Sequence, residues 1–173
     1  MIQHPSGDSR QRELLTTRNM IKAVNRCGLA GVAIYPNSDP GHEGIVQALL
    51  ETQRNPQWRI FRSLPRDDYL LLASQAATLV GNSSSGIIES ASLGVPAVNI
   101  GDRQRGRLRC GPGVVDSGES IMAIERAIRL AIRRPRPQRE KTPYGDGQAG
   151  KRIARVCERL IIDISLRRKH LSY

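Results

Sequence analysis

Gly81-Asn82-Ser83-Ser84-Ser85-Gly86-Ile87-Ile88-Glu89 is the stretch whose reading decides the fold of this chain. It follows directly on the apolar run 77–80, so it reads as a strand emptying into a Ser/Gly turn that opens a helix. Such a turn gathers free backbone N–H groups at the positive end of a helix dipole, and serine hydroxyls add donors without bulk. An anion site is predicted there. A second block, Gly101-Asp102-Arg103-Gln104-Arg105-Gly106-Arg107, follows the short strand 97–100 and sets guanidinium forks where they could close on the same anion. Taken singly, the serine turn reads equally well as a tight connection with a serine cap. The pair is more specific, because both blocks fall at the carboxyl ends of consecutive strands, the edge where open α/β sheets hold ligands.

Outward from this centre, strand and helix signals alternate. Ile2-Gln3 reads as the end of a strand, followed by a polar helix with apolar Leu14, Leu15, Ile21 and Val24. Residues 31–35 form a short buried strand, and the turn cluster Pro36-Asn37-Ser38-Asp39-Pro40-Gly41 leads into a helix marked by Ile45, Val46, Leu49 and Leu50. A strand over 58–64 precedes a helix that starts near Asp67 and carries Tyr69, Leu70, Leu72 and Ala73. Val114-Val115 is a brief strand, after which Asp116 or Ser117 caps a helix with Ile121, Ile124, Ile128 and Ile132 on one face, ended by Pro135 and Pro137. Beyond the loop Pro143-Tyr144-Gly145-Asp146-Gly147, Ile153, Val156, Cys157, Leu160, Ile161 and Ile164 repeat at helical spacing. That stripe suits a core helix, or a helix that docks on a partner. The alternation implies βαβ units with right-handed crossovers, hence a doubly wound, Rossmann-like α/β fold with a parallel sheet. At 173 residues the expectation is one domain over 1–173.

The formal charge of +11 favours phosphates, nucleotides, nucleic acid or anionic surfaces as partners. Much of the excess lies in 103–109, 133–141 and 167–169, in loops and a tail rather than in an organised stripe. One Trp, one Phe and four Tyr leave little for base stacking, so nucleic acid is a poor fit. The three cysteines, Cys27, Cys110 and Cys157, are far apart and odd in number, which points to ordinary thiols in a reducing compartment, with no metal and no cofactor. Neither a signal peptide nor a membrane span is legible, and a cytoplasmic protein without a membrane partner is expected.

Read in order, His4-Pro5, Pro36 to Gly41, the Gly81 block with Glu89, Arg103-Gln104-Arg105-Gly106-Arg107, and Pro143 to Gly147 resemble the UDP-N-acetylglucosamine 2-epimerase family, specifically its carboxyl-terminal domain. Asn82-Ser83-Ser84-Ser85 and Arg103-Gln104 are similar to the hydrolysing branch, which makes N-acetylmannosamine and UDP for sialic-acid or related surface-sugar pathways. The resemblance implies one half of a glycosyltransferase-B-type fold, with UDP or UDP-N-acetylglucosamine held between two Rossmann-like domains. It implies that Ser83 and Ser84 bind the diphosphate, that Glu89 takes the ribose hydroxyls, and that Arg103 sits against the phosphates. Asn37 and Asp39 would line the uridine side or the neighbouring turn, Tyr144 and Asp146 the cleft, and His4 would bind or act near the diphosphate and sugar. It also implies an amino-terminal domain carrying the acids that move the C2 proton, without which this chain would bind UDP weakly and turn over nothing. A homo-oligomer is compatible with the family.

Bland readings stand beside these. His4 could be a solvent-exposed histidine, Glu89 a helix-dipole acid, and Tyr144 to Gly147 a plain glycine turn. Arg105, Arg107 and Arg109 read as solvated loop charges. The segment 105–114 departs from the family's short link, and a glycosyltransferase of the same architecture is the rival enzyme.

Overall fold

The computed structural model describes residues 1–109, 113–136 and 144–164. Cys110, Pro137, Pro143 and the basic tail therefore lie outside the described residues. The chain divides into two compact units, Met1–Pro143 and Tyr144–Tyr173.

In the first unit, α1 (Arg10–Arg26), β1 (Gly31–Ile34), α2 (His42–Thr52), β2 (Trp58–Phe61), α3 (Arg66–Gln75), β3 (Leu79–Gly81), α4 (Ile88–Leu93), β4 (Ala97–Ile100), β5 (Val114–Ser117) and α5 (Ile121–Arg133) follow one another. Every strand pairing among the described residues is parallel: β1 with β2, and β3 with β4 and β4 with β5. Ile2 joins the two ladders by bridging in parallel to Ile34 of β1 and Gly81 of β3. The spatial order is thus β2, β1, Ile2, β3, β4, β5, which reverses its direction of growth at Ile2, the hallmark of a doubly wound sheet.

Hydrophobic burial explains the layers. β4 is buried at all its positions, as a central parallel strand covered on both faces must be. On one side α1 packs against both α2 and α5, burying Met20, Ile45, Leu49, Ile124 and Ile128 over Val98 and Ile100. Right-handed crossovers send α3 and α4 to the other side. α1 and α2 approach closely because Gly44 lacks a side chain, since a Cβ there would lie 2.2 Å from the Arg10 carbonyl oxygen.

Some boundaries differ from the sequence expectation. β2 stops at Phe61, short of residue 64, and β5 runs on through Asp116 and Ser117, so neither of those caps α5. The cap is Ser120, whose Oγ accepts from Ala123 N–H. The serine turn does not open straight into a long helix either. It forms a 3-10 turn, Ser84–Gly86, and then the six residues of α4.

The second unit contains α6 (Ala149–Arg159), with the predicted periodicity and no buried residue. Ile161 and Ile164 lie beyond its end.

Candidate functional site

The carboxyl ends of the Ile2 strand, β1, β3 and β4 deliver His4, Asn37 and Asp39, the serine turn, and Arg103-Gln104, respectively, to one edge of the sheet. They flank the point where strand order reverses.

His4 is half-buried. Its Nδ1 accepts from the Asn37 backbone N–H at 3.1 Å, so the neutral ring carries its proton on Nε2. Burial first, and the Arg103 guanidinium second, hold the imidazole below its ordinary value against the upward pull of Asn37 and Asp39. A neutral ring that offers Nε2–H is the consequence. Asn37 Nδ2 in turn donates to Asp39 Oδ2 at 2.5 Å, closing the turn after β1 on itself with both residues exposed.

The three serines are not equivalent. Ser83 Oγ accepts from Ser85 N–H at 3.3 Å and caps the 3-10 turn. Ser85 Oγ pairs with the Tyr69 hydroxyl of α3. Among the described residues, the Ser84 hydroxyl has no protein partner. Glu89, one turn further on, has its Oε2 buried without a hydrogen-bond partner, a costly arrangement that a ligand hydroxyl would relieve.

Across the crevice, exposed Arg103 donates through Nη1 to the Asn82 carbonyl at 3.2 Å, and buried Gln104 donates through Nε2 to the same oxygen at 2.8 Å. Arg107 Nε is bonded to Gln104 Oε1 at 2.8 Å. Arg105 pairs with Asp102, and Arg109 with Asp116, so both arginines have structural partners. An apolar cavity of about 240 Å³ under α3 touches this region only through Ser83, Ser85 and Gly86. Its lining holds no charged side chain, so it is a poor seat for an anion.

Tyr144 and Asp146 belong to the second unit. There Asp146 accepts from Arg152 at 2.9 and 2.6 Å and from the Gln148 N–H at 3.0 Å, which holds its carboxyl below the usual range, the arginine contributing most. Three residues without an assigned role in the sequence reading also matter: Tyr69, Gln104 and Asn82. For Asn82 and Gln104 a side-chain amide in a loop beside the candidate residues was the one signal the sequence offered, and Tyr69 offered none.

Residues 1–158 match the family described as UDP-N-acetylglucosamine 2-epimerase. The chain belongs to that family. A hydrolysing UDP-N,N'-diacetylbacillosamine 2-epimerase of Legionella pneumophila is 31% identical over 172 residues, 99% of this chain and 44% of that protein. A UDP-N-acetylglucosamine 2-epimerase of Neisseria meningitidis is 36% identical over 110 residues, 64% of this chain and 29% of its relative. Among solved structures, the Methanocaldococcus jannaschii UDP-GlcNAc 2-epimerase in complex with UDP-GlcNAc and UDP superimposes with a TM-score of 0.73 at 16% identity, covering 91% of this chain and 44% of that one. The fold is therefore Rossmann-like, as in the epimerases of the glycosyltransferase-B type. This epimerase-family chain spans under half the length of these relatives.

Proposed function

We propose that the chain supplies the nucleotide-diphosphate-binding half of a hydrolysing UDP-N-acetylglucosamine 2-epimerase, which converts UDP-N-acetylglucosamine to N-acetylmannosamine and UDP. The observation that carries this is the convergence on one sheet edge of the His4 ring with its free Nε2–H, the unpartnered Ser84 hydroxyl, the Arg103 guanidinium and the orphaned Glu89 oxygen. Three of these are donors suited to a diphosphate, and the fourth is an acceptor suited to a ribose diol. Ser83 contributes its hydroxyl proton, and Asn37 and Asp39 border the uridine side.

Elimination breaks the bond between sugar C1 and the β-phosphate oxygen while the C2 proton is removed, and water then adds to the glycal. Negative charge grows on the departing phosphate. Donors fixed in advance at that point lower the barrier, one such donor being worth roughly 3 to 4 kcal/mol. The base that takes the C2 proton is assigned to a complementary amino-terminal domain, because the carboxylates at this edge have other tasks, Glu89 facing the ribose and Asp39 accepting from Asn37. Alone, the chain binds UDP without turnover. A second reading of the sugar, UDP-N,N'-diacetylbacillosamine, is favoured by the relative matched along 99% of the chain. It leaves the nucleotide contacts unchanged.

Calorimetric titration with UDP tests the reading. Saturable binding is expected, with uridine at least about tenfold weaker and Arg103→Ala about 10- to 100-fold weaker, as suits a charge-assisted hydrogen bond. A folded chain that binds UDP no better than uridine would overturn it.

A further inference from the structure

We infer that Asn82 is a positioning residue, holding the His4 imidazole and the Arg103 guanidinium at a fixed separation across the crevice; the inference rests on the phosphate-binding reading of that site. Asn82 is fully buried, with 0% of its surface exposed. Its Oδ1 accepts from the His4 backbone N–H at 2.7 Å, and its Nδ2 donates to the His4 carbonyl at 2.7 Å. The second Nδ2 proton goes to Ser6 Oγ at 3.1 Å. On the other side, the backbone carbonyl of the same residue accepts from both Arg103 and Gln104.

A carboxamide is required for the first pairing. It alone presents a donor and an acceptor side by side, whereas a carboxylate would set a lone pair against the His4 carbonyl and an apolar side chain would leave both His4 groups unsatisfied. The sheet cannot do this work. Its ladder ends at the bridge between Ile2 and Gly81, and the Asn82 side chain supplies the next rung where the backbone no longer can. Gly81 makes the approach possible: its φ is +141°, and a Cβ there would lie 1.8 Å from the Ile2 carbonyl oxygen. One residue thus carries the His4 arm on its side chain and the Arg103 arm on its backbone.

Asn82→Ala cuts the His4 arm, removing the amide but keeping the carbonyl, while Gln104→Met keeps volume and removes the second donor that fixes that carbonyl for Arg103. Two readouts apply, the NMR titration midpoint of the His4 ring without ligand and the calorimetric affinity for UDP. The charged groups acting on His4 are Arg103 and Asp39. In folded Asn82→Ala the midpoint is expected to rise toward the ordinary histidine value as the ring leaves its seat. UDP binding should weaken about 10- to 100-fold, the scale of a misplaced binding group. A folded Asn82→Ala with either readout unchanged overturns the inference. Should Asn82→Ala not fold, Gln104→Met decides: folded with weakened UDP binding supports it, and wild-type affinity overturns it. If the wild-type chain binds no UDP, the phosphate reading fails by itself, and the His4 midpoint alone judges Asn82.

Discussion

His4 sits where a change of one proton alters stability and, on the proposed function, binding. Its folded-state value lies below the 6.5 of a free histidine, with burial the larger cause and Arg103 the next. Protonation therefore favours the unfolded chain: the stabilising share is complete above 6.5, the unfolded value, and is lost as pH falls from there through the folded value. Denaturant midpoints between pH 7 and pH 5 are expected to drop more for the wild type than for His4→Gln, which keeps an acceptor for Asn37 but does not titrate. Glu89 offers a separate test. Glu89→Gln should weaken UDP about tenfold, the loss of one charge-assisted hydrogen bond, and leave inorganic pyrophosphate binding unchanged. An equal loss for pyrophosphate in the calorimeter would remove Glu89 from the ribose. His4, Ser84, Arg103 and Glu89 were legible as candidates for one sheet edge, Ser84 and Arg103 because their turns follow short strands, His4 and Glu89 through the family resemblance. Asn82 and Gln104 were not, since their importance depends on contacts between strand ends; Asn82 and His4 are 78 positions apart.

Elements were legible in proportion to how far burial dictated them. β4 has the boundaries expected of it, because every residue there is apolar or enclosed. β5 is an edge strand, and edge strands tolerate polar side chains, so Asp116 and Ser117 looked like a cap while belonging to a ladder. The serine turn shortens its helix because Ser and Gly are weak helix formers, and Gly94, at φ +65°, stops α4 soon after. Ser120→Ala should cost about 1 kcal/mol, the usual value of an N-cap, in a urea titration. Gly44→Ala should cost more, about 1 to 3 kcal/mol or beyond, because its Cβ meets backbone of α1 rather than a yielding side chain. The same titration measures both. α6 shows the limit of periodicity, which specified an apolar face without specifying anything that covers it.

At the scale of the molecule, alternation foretold a parallel doubly wound sheet but not that Ile2 would bridge its two ladders. Among the described residues no helix is long and apolar enough to cross a membrane. Ligand linkage gives a global test of the proposed function: UDP at a hundred times its dissociation constant should raise unfolding free energy by about 2.7 kcal/mol, read from denaturant curves, and much less in Arg103→Ala. Among the described residues, the left ladder, β1 with β2, and the right ladder, β3 to β5, are joined through Met1 and Ile2: Ile2 N–H to Val80 at 3.0 Å, Ile34 N–H to Met1 at 3.1 Å, and Met1 N to Val32 at 2.6 Å. That line is a seam. Its amides at Ile2 and Ile34 are expected to trade hydrogen for deuterium well ahead of Val98. The proposed site lies across the same line, with Asn37 on one bank and Ser84 on the other, so a nucleotide bound there would rivet the two banks together and slow exchange in the middle of the sheet.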